Sequence, residues 1–340
     1  MSPYFHPMRL SIERGRLAKI LSQVKKARVL VVGDAMLDEY LVGEVERISP
    51  EAPVPVVRVR ERRHALGGAA NVAENVVASG AACRLVATVG SDPAGDQIAS
   101  MLKGFGIVGA GLLRIDRPTT KKTRIVARSQ QMVRVDEEDD TDLVAADVAR
   151  VIAAIEDALP SVDAVILEDY NKGVLVPEVI TRTIALARAR GAPVVVDPKY
   201  RHFFAYRGAT VFKPNRRELD SALGAEIDVE HPEAVPMAIE RLDVEHLLLT
   251  LGERGMMLAS RTGPPKTVPT SAREVYDVVG AGDTVTAYLA TVLAAGGTVE
   301  EASVIANYAA GVEVGKLGAA TVTPGEILQA FDDHATSAGA

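Results

Sequence analysis

Cysteine is almost absent from this chain of 340 residues, which contains only Cys83. A single cysteine cannot form a disulfide within the chain, and it excludes a zinc site built from several cysteines. The six histidines show no metal-ligand spacing either. We therefore interpret Cys83 as a core residue, and the absence of disulfides favours a reducing cytoplasm.

Long apolar runs and an excess of positive charge are also missing. No uninterrupted apolar span is long enough to cross a bilayer, and residues 1–27 lack the apolar segment and cleavage site of a secretory signal. The 38 basic and 45 acidic residues give a net charge of −7. This balance argues against nucleic acid or an anionic membrane as a partner. We expect a cytoplasmic protein that binds neither.

Strand and helix patterns alternate along most of the chain. Buried-strand runs occur at 28–33, 164–167, 193–196, 210–212 and 247–249, with helical patterns at 142–159, 177–190 and 232–242. The alternation predicts an α/β fold with a mostly parallel central sheet covered by helices on both faces. Ligands of such sheets bind outside the carboxyl ends of the strands. The sequence places Asp34, Asp169, Lys213 and Thr250 at those ends.

Two arginine-rich segments break this alternation. Residues 54–60 and 123–135 carry Val, Ile and Thr at strand-like spacing, with no helix to cover them. They predict a small antiparallel sheet, from about 42–63 and 118–136, that forms a lid on a single domain spanning 1–340. One face of such a sheet has no core, so it should cover the active site, pair with a second copy, or both.

The sequence Gly280-Ala281-Gly282-Asp283 precedes an apolar run of helical length. A glycine-flanked turn into a helix presents free backbone N–H groups and the positive end of the helix dipole, which suit an anion. Asp283 could be a base that takes a proton from an alcohol while those N–H groups hold a phosphoryl group. It could equally be the N-cap of an ordinary helix.

Other motifs have two interpretations each. Gly67, Gly68 and Asn71 could admit a sugar or form a capped turn, while Asp34 and Asp38 could bind sugar hydroxyls or cap a helix. Asn215 and Glu218 could hold hydrated Mg²⁺ or form a capping box. The segment from Thr250 to Gly255 could line a nucleotide or be a hairpin turn.

Basic residues concentrate on the predicted lid of this otherwise acidic chain. Lys121, Lys122, Arg124, Arg128 and Arg134 all lie there. Strand alternation puts Arg124 and Arg128 on one face, and Lys122 shares it if the strand begins that early. That face could clamp a phosphate already on the substrate, or the charges could keep an edge strand soluble.

In their order along the chain, these motifs resemble the ribokinase (PfkB-type) carbohydrate kinases. The order is an acid after the first strand, Gly-Gly-Ala-Ala-Asn, the lid, Asn-x-x-Glu, Thr-x-Gly-x-x-Gly and Gly-Ala-Gly-Asp. The resemblance implies a ribokinase-like fold and an ATP-dependent phosphotransferase that acts on an alcohol. It also implies Mg²⁺ with ATP, leaves the need for a monovalent cation open, and suggests a homodimer formed through the lid.

The resemblance also implies a role for particular residues. Asp283 would be the catalytic base, with the anion hole formed by Gly280, Ala281 and Gly282. ATP would bind Asn215, Arg216, Arg217, Glu218, Thr250, Gly252, Gly255 and Asn307, and Mg²⁺ would reach Asn215 and Glu218 through water. The substrate would bind Asp34, Asp38, Gly67, Gly68, Asn71, Lys122, Arg124, Arg128, Asp169 and Lys172.

Four further segments, 33–38, 47–56, 169–173 and 314–318, are similar to the members of this family that phosphorylate D-glycero-D-manno-heptose 7-phosphate at C1. They imply a role in making precursors of lipopolysaccharide. The His-x-Gly-His motif of a fused nucleotidyltransferase does not occur, so a stand-alone kinase is expected. The alternatives are a kinase of ribose, fructose or tagatose phosphate, or a sensor without activity. A nicotinamide-dependent oxidoreductase is disfavoured because the first strand lacks a glycine-rich fingerprint.

Overall fold

The computed structural model describes residues 8–128, 130–227, 234–272 and 274–338. The strands are β1 (Met8–Arg9), β2 (Arg28–Gly33), β3 (Ala35–Ile48), β4 (Pro55–Gly68), β5 (Ala82–Gly90), β6 (Val108–Ile115), β7 (Lys121–Ala127), β8 (Gln130–Glu137), β9 (Ala164–Glu168), β10 (Val194–Asp197), β11 (Val211–Phe212), β12 (His246–Thr250), β13 (Met256–Ser260) and β14 (Lys266–Val268). The helices are α1 (Arg14–Val24), α2 (Ala69–Ala78), α3 (Pro93–Gly104), α4 (Ala145–Ala158), α5 (Pro177–Ala189), α6 (Arg216–Leu223), α7 (Ala234–Leu242), α8 (Ala281–Ala294), α9 (Val299–Glu313) and α10 (Pro324–Ala338).

Ten strands form the central sheet, in the order β1-β14-β13-β12-β11-β10-β9-β2-β5-β6. Among these described strands only β13 runs antiparallel to its neighbours. The mostly parallel sheet predicted from the sequence is therefore present. The strands β2, β9, β10, β11 and β12 end along one edge, which carries the candidate site.

Helices cover both faces of the sheet, as strand β2 illustrates. Its residues Val29 and Val31 enter a core with α1, α2, α3, α8, α9 and α10, whereas Leu30 and Val32 enter a second core with α4 to α7. Burial on both faces explains the continuous β-branched runs in the sequence. Of the helix predicted at 232–242, positions 232 and 233 lie outside the described residues, and α7 occupies the rest.

A second sheet stands over this edge, with strands in the order β4-β3-β7-β8. Its two hairpins, β3/β4 and β7/β8, are antiparallel, and the pairing between β3 and β7 that joins them is parallel. We call this sheet the lid. It begins one residue after β2 and returns directly into α2, so its base is continuous with the edge of the central sheet. None of the described helices has the length and apolarity needed to cross a bilayer.

Candidate active site

A cleft of about 1060 Å³ opens at this edge of the central sheet. Its lining includes all eight residues predicted to bind ATP, which are Asn215, Arg216, Arg217, Glu218, Thr250, Gly252, Gly255 and Asn307. Gly280, Ala281, Gly282 and Asp283 line the same cleft. The fold thus brings together motifs separated by up to 92 positions, from Asn215 to Asn307.

Helix α8 begins in the wall of the cleft. Its N-cap, Gly280, has φ of 96°, a conformation that glycine adopts without strain. The first hydrogen bond of the helix runs from Thr284 N to Gly280 O, at 2.9 Å. The N–H groups of Ala281, Gly282 and Asp283 precede that bond and have no acceptor within the helix. They are suited to hold an anion in the cleft.

Asp283 is buried, and each of its carboxylate oxygens accepts one side-chain hydrogen bond. Asn71 Nδ2 on α2 donates to Oδ2 at 2.6 Å, and the Tyr170 hydroxyl, from the loop after β9, donates to Oδ1 at 2.8 Å. Burial raises the pKa of Asp283 to about 6, although both hydrogen bonds lower it. The carboxyl is therefore held in place and ionised at neutral pH, as a base must be.

The pH dependence of activity should respond to Tyr170. If ionised Asp283 is the base, kcat/KM will fall as the pH drops through about 6. The substitution Tyr170→Phe removes a hydrogen bond that lowers the pKa of Asp283, so this acid limb should move to higher pH, by about one unit. The control is Tyr276→Phe, which removes an exposed tyrosine–carboxylate bond of 3.1 Å, to Glu274, and should leave the limb in place. An unmoved limb in the first variant would contradict the role given to Tyr170.

Two further acids lie beside Asp283. Carboxylate oxygens of Glu168, Asp197 and Asp283 lie within 4.8 Å of one another. Both oxygens of the fully buried Glu168 lack a hydrogen-bond partner among the described residues. Burial and the charges of Asp197 and Asp283 raise the pKa of Glu168 well above its usual range. Lys213 Nζ neutralises Asp197 at 2.9 Å. This oxygen-rich cluster has the donor type that Mg²⁺ prefers.

Asn215 and Glu218 form the capping box that the sequence left as one of two interpretations. Asn215 Oδ1 accepts from Glu218 N at 2.9 Å, and Glu218 Oε2 accepts from Asn215 N at 2.8 Å. Glu218 Oε1 accepts from Lys199 Nζ at 2.7 Å. Both carboxylate oxygens are engaged, so Mg²⁺ would reach this pair through water.

The segment between β12 and β13 is a hairpin turn, the other interpretation of its glycines. It also lines the cleft, so the two interpretations are compatible. Gly255 has φ of 83°, and a Cβ atom there would lie 2.1 Å from the Val268 carbonyl oxygen. Opposite this turn, Asn307 Nδ2 donates to the Pro269 carbonyl at 2.9 Å. Asn307 therefore supports the cleft wall through the loop that follows β14.

The residues predicted to bind the sugar lie where the lid meets α2. Asp38 is buried and accepts from Arg124 Nη1 across the β3/β7 pair. A Cβ atom on Gly67 would approach Asp38 Oδ2 to 3.0 Å, and one on Gly68 would approach the Asp34 carbonyl oxygen to 2.3 Å. The glycines thus keep the entry to α2 open beside Asn71, which contacts Asp283.

Asp34 and Asp169 hold a loop of the site. The Asp34 carboxylate accepts from the backbone N–H groups of Tyr170, Lys172 and Val174, at 2.8–3.1 Å. The Asp169 oxygens accept from the Asn171 N–H and the Tyr206 hydroxyl. These bonds engage both carboxylates, and a contact of either with sugar stays a prediction. They hold the loop that carries Tyr170 and Lys172.

A basic residue of the lid and one of this loop approach the same carboxylate, that of Glu138. Lys172 Nζ lies 3.0 Å from Glu138 Oε2, and Lys122 Nζ lies 4.0 Å from the same atom. The prediction that Arg128 shares a face with Arg124 is wrong. Strand β7 ends at Ala127, and Arg128 is an exposed residue with φ of 49° in the hairpin turn. Of the basic residues predicted to bind the substrate, Lys122, Lys172 and Arg124 remain near the site.

Sequence reasoning did not select Glu168, Tyr170 or Lys199 for the site, and it placed Lys213 at the binding edge without giving it a role. Glu168 and Lys213 do carry a signal, since each ends or directly follows a buried strand at the predicted binding edge. Lys199 follows Asp197 by two positions at the same edge. Tyr170 has no pattern of its own, because its contact with Asp283 joins positions 113 apart.

Comparison with known proteins agrees with this geometry. Residues 26–325 match the pfkB family carbohydrate kinases. The chain is 46% identical over 325 residues to the bifunctional protein HldE of Pelobacter propionicus and 44% identical to that of Rhodospirillum rubrum. The matches cover 94% and 95% of this chain. It spans 66% of the length of each relative.

Solved structures share the fold at low identity. Arabidopsis thaliana ribokinase, complexed with ribose and ATP, has a TM-score of 0.68 and 20% identity over 90% of this chain and 98% of its own. Phosphofructokinase-2 from Escherichia coli, in complex with potassium, has a TM-score of 0.73 and 17% identity over 91% and 98%. The ribokinase-like fold is thereby confirmed. By its family match and its relatives, this chain belongs to the pfkB family of carbohydrate kinases.

Proposed function

We propose that this chain transfers the γ-phosphoryl group of Mg-ATP to the C1 hydroxyl of D-glycero-D-manno-heptose 7-phosphate. The product would be heptose 1,7-bisphosphate, a precursor of ADP-heptose and the lipopolysaccharide core, made in the cytoplasm. The family match and the HldE relatives support a sugar kinase. The four segments similar to heptose 7-phosphate kinases support this particular sugar.

One observation carries the proposal of phosphoryl transfer. The buried carboxylate of Asp283 is fixed by Asn71 and Tyr170 at the start of α8, whose free N–H groups line the same cleft. A proton acceptor and an anion hole therefore adjoin. A binding protein without activity has no use for a carboxylate beside an anion site, because the charge would repel the ligand.

The chain's own residues explain the reaction steps. The oxygen of the sugar C1 hydroxyl attacks the γ-phosphorus in line while Asp283 accepts the hydroxyl proton. ADP leaves, and no covalent enzyme intermediate forms. The transition state is loose, so positioning and charge neutralisation supply most of the acceleration. The N–H groups of Ala281 and Gly282 bind the transferred group. Closure of the lid would exclude water and prevent hydrolysis of ATP.

The residues in the cleft fit Mg²⁺ with ATP. The oxygens of Glu168, which have no partner among the described residues, and the carboxylate of Asp197, which pairs with Lys213, are hard donors that suit Mg²⁺. Glu218 would contact the ion through water. When bound, Mg²⁺ neutralises phosphate charge. The turn at Gly252 and the side chain of Asn307 would lie along the nucleotide.

A panel of sugars tests the proposed function. Heptose 7-phosphate, free heptose, ribose, fructose 6-phosphate and tagatose 6-phosphate would each be mixed with the protein and Mg-ATP. Release of ADP would be followed, and the new phosphate located by NMR. We expect turnover to be highest with heptose 7-phosphate and the phosphate to appear on C1. Preference for another sugar would contradict heptose 7-phosphate as the substrate. Binding of sugar or ATP without turnover of any sugar would indicate a sensor.

We also propose a homodimer formed through the lid. Every residue of β8 is exposed, and the lid carries exposed apolar side chains at Ile48, Val54, Val59, Met132, Val133 and Val135. Such a surface needs a partner. Light scattering should show a dimer, and Val133→Asp should shift it toward monomer, whereas Val144→Asp, at an exposed valine outside the lid, should not. A monomeric wild-type protein at working concentration would contradict this assembly.

A further inference from the structure

Lys199 lies between Glu218 and Tyr170 in the cleft. It follows β10 and lines the cleft beside Asp283. Its Nζ donates to Glu218 Oε1 at 2.7 Å and lies 5.1 Å from the ring centroid of Tyr170. The hydroxyl of that tyrosine holds Asp283. Lys199 therefore stands between the capping box, where hydrated Mg²⁺ would be bound, and the catalytic base.

Lys199 and Lys213 both line the cleft, but their ion pairs differ in exposure and so in how easily each lysine could exchange its partner for a phosphate. Lys213 is sealed in its ion pair with Asp197, since the two side chains are 4% and 6% exposed. The side chain of Lys199 is 26% exposed, and that of its partner Glu218 is 16% exposed. Of these two lysines, Lys199 is thus the one that a bound phosphate can reach with less rearrangement.

Glu218 can release Lys199 without losing its structural role. Its Oε2 atom accepts the N–H of Asn215 and completes the cap of α6, whereas its Oε1 atom bonds only to Lys199 among the described residues. If Nζ leaves, Oε1 becomes free and the cap remains. The nearby carboxylates of Asp197 and Glu218 raise the pKa of Lys199 despite the opposing effect of burial, so the lysine is charged.

We propose that Lys199 is a catalytic residue that exchanges Glu218 Oε1 for an oxygen of the transferred phosphoryl group. The vacated Oε1 atom would then be free to help hold hydrated Mg²⁺. The exchange moves no proton and makes no covalent bond. It rests on the proposed phosphoryl transfer. Because negative charge on the equatorial oxygens grows in the loose transition state, Lys199 stabilises the transition state more than bound ATP.

The test compares Lys199→Met with Lys199→Arg, which keeps the charge. The control is Lys266→Met, since Lys266 forms a 2.9 Å pair with Glu300 at similar exposure away from the cleft. Phosphoryl transfer gives kcat and the KM for ATP. Calorimetry gives the affinity for β,γ-imido-ATP across a Mg²⁺ titration, a measurement that does not depend on turnover. Thermal melting verifies that each variant is folded.

We expect Lys199→Met to lower kcat by about 10- to 100-fold, the effect of a lost charge-assisted contact. The KM for ATP should change about threefold or less, because the contact develops in the transition state. Half-maximal binding of the analogue should need less Mg²⁺, since Glu218 Oε1 is no longer neutralised. Lys199→Arg should recover part of kcat, and Lys266→Met should match the wild type.

Two results would overturn the role of Lys199. One is an unchanged kcat in Lys199→Met. The other is a parallel loss of kcat and of analogue affinity without a lower Mg²⁺ requirement, which would indicate only a structural contact. Failure of the proposed function is distinguishable from either. If wild type prefers another sugar, the comparison is made on that sugar. If wild type transfers no phosphoryl group, the proposal for Lys199 fails together with the reaction.

Discussion

The substitution Asp283→Asn should reduce kcat by roughly 10²- to 10⁴-fold or more, the range attributed to a positioned general base. Asparagine has nearly the shape of aspartate and leaves the N–H groups at the start of α8 in place, but it cannot accept the proton of the C1 hydroxyl. The affinity for ATP should therefore change little. Steady-state kinetics on heptose 7-phosphate and calorimetry with β,γ-imido-ATP measure the two quantities separately.

A matched control for Asp283→Asn is Asp332→Asn. Asp332 is an exposed acid on α10 that pairs with Arg14, and its loss should leave kcat at the wild-type value. Near-wild-type turnover in Asp283→Asn with unchanged nucleotide affinity would remove Asp283 from the mechanism. Loss of nucleotide affinity in parallel with kcat would instead assign it to binding.

Removing the lysines that converge on Glu138 should weaken discrimination between heptose 7-phosphate and free heptose. Lys122 and Lys172 are 17% and 12% exposed and approach the same carboxylate oxygen, at 4.0 and 3.0 Å. A substrate phosphate near them would replace Glu138 as their partner. Each charge-assisted contact contributes about 1.5–3 kcal/mol. The kcat/KM for the phosphorylated sugar should thus fall about 10- to 100-fold in Lys122→Met and in Lys172→Met.

The adjacent lysine on the same strand provides the control for this prediction. Lys121 points to the opposite face of β7 and pairs with Glu137 at 2.8 Å, so Lys121→Met should preserve the preference. Efficiency on free heptose should stay nearly constant in all three variants. If the kcat/KM of the wild type is equal on heptose 7-phosphate and on free heptose, these lysines do not bind the substrate phosphate.

Much of the fold could be predicted because its signals are local. The β-branched runs mark strands buried on both faces, and the cleft does open at their carboxyl ends. The motif ending at Asp283 similarly predicts a helix N-terminus from its own residues. Its neighbours in the cleft, Asn215 and Thr250, each follow or end a strand at that edge, so a strand pattern was enough to bring them together.

The remainder depends on contacts between distant segments and on backbone conformation. The part that Asp34 and Asp169 play in holding a loop could not be predicted, because nothing in a sequence shows that loop N–H groups bond to a carboxylate. Arg128 was placed on a strand because arginine carries no signal for the positive φ of a hairpin turn. The importance of Tyr170 and Lys199 follows from two contacts, with Asp283 and Glu218, that exist only in the folded chain.

The crowding of Glu168, Asp197 and Asp283 has a meaning for the molecule beyond its reaction. Three carboxyls that share a dry interior oppose folding, because burial and mutual repulsion disfavour their charged forms. Glu168, whose oxygens have no hydrogen bond among the described residues, adds its own desolvation penalty. A neutral or apolar residue of similar size in place of Glu168 would raise the free energy of unfolding. The protein is thus less stable than its fold would allow, and a cation that binds this cluster should raise the free energy of unfolding.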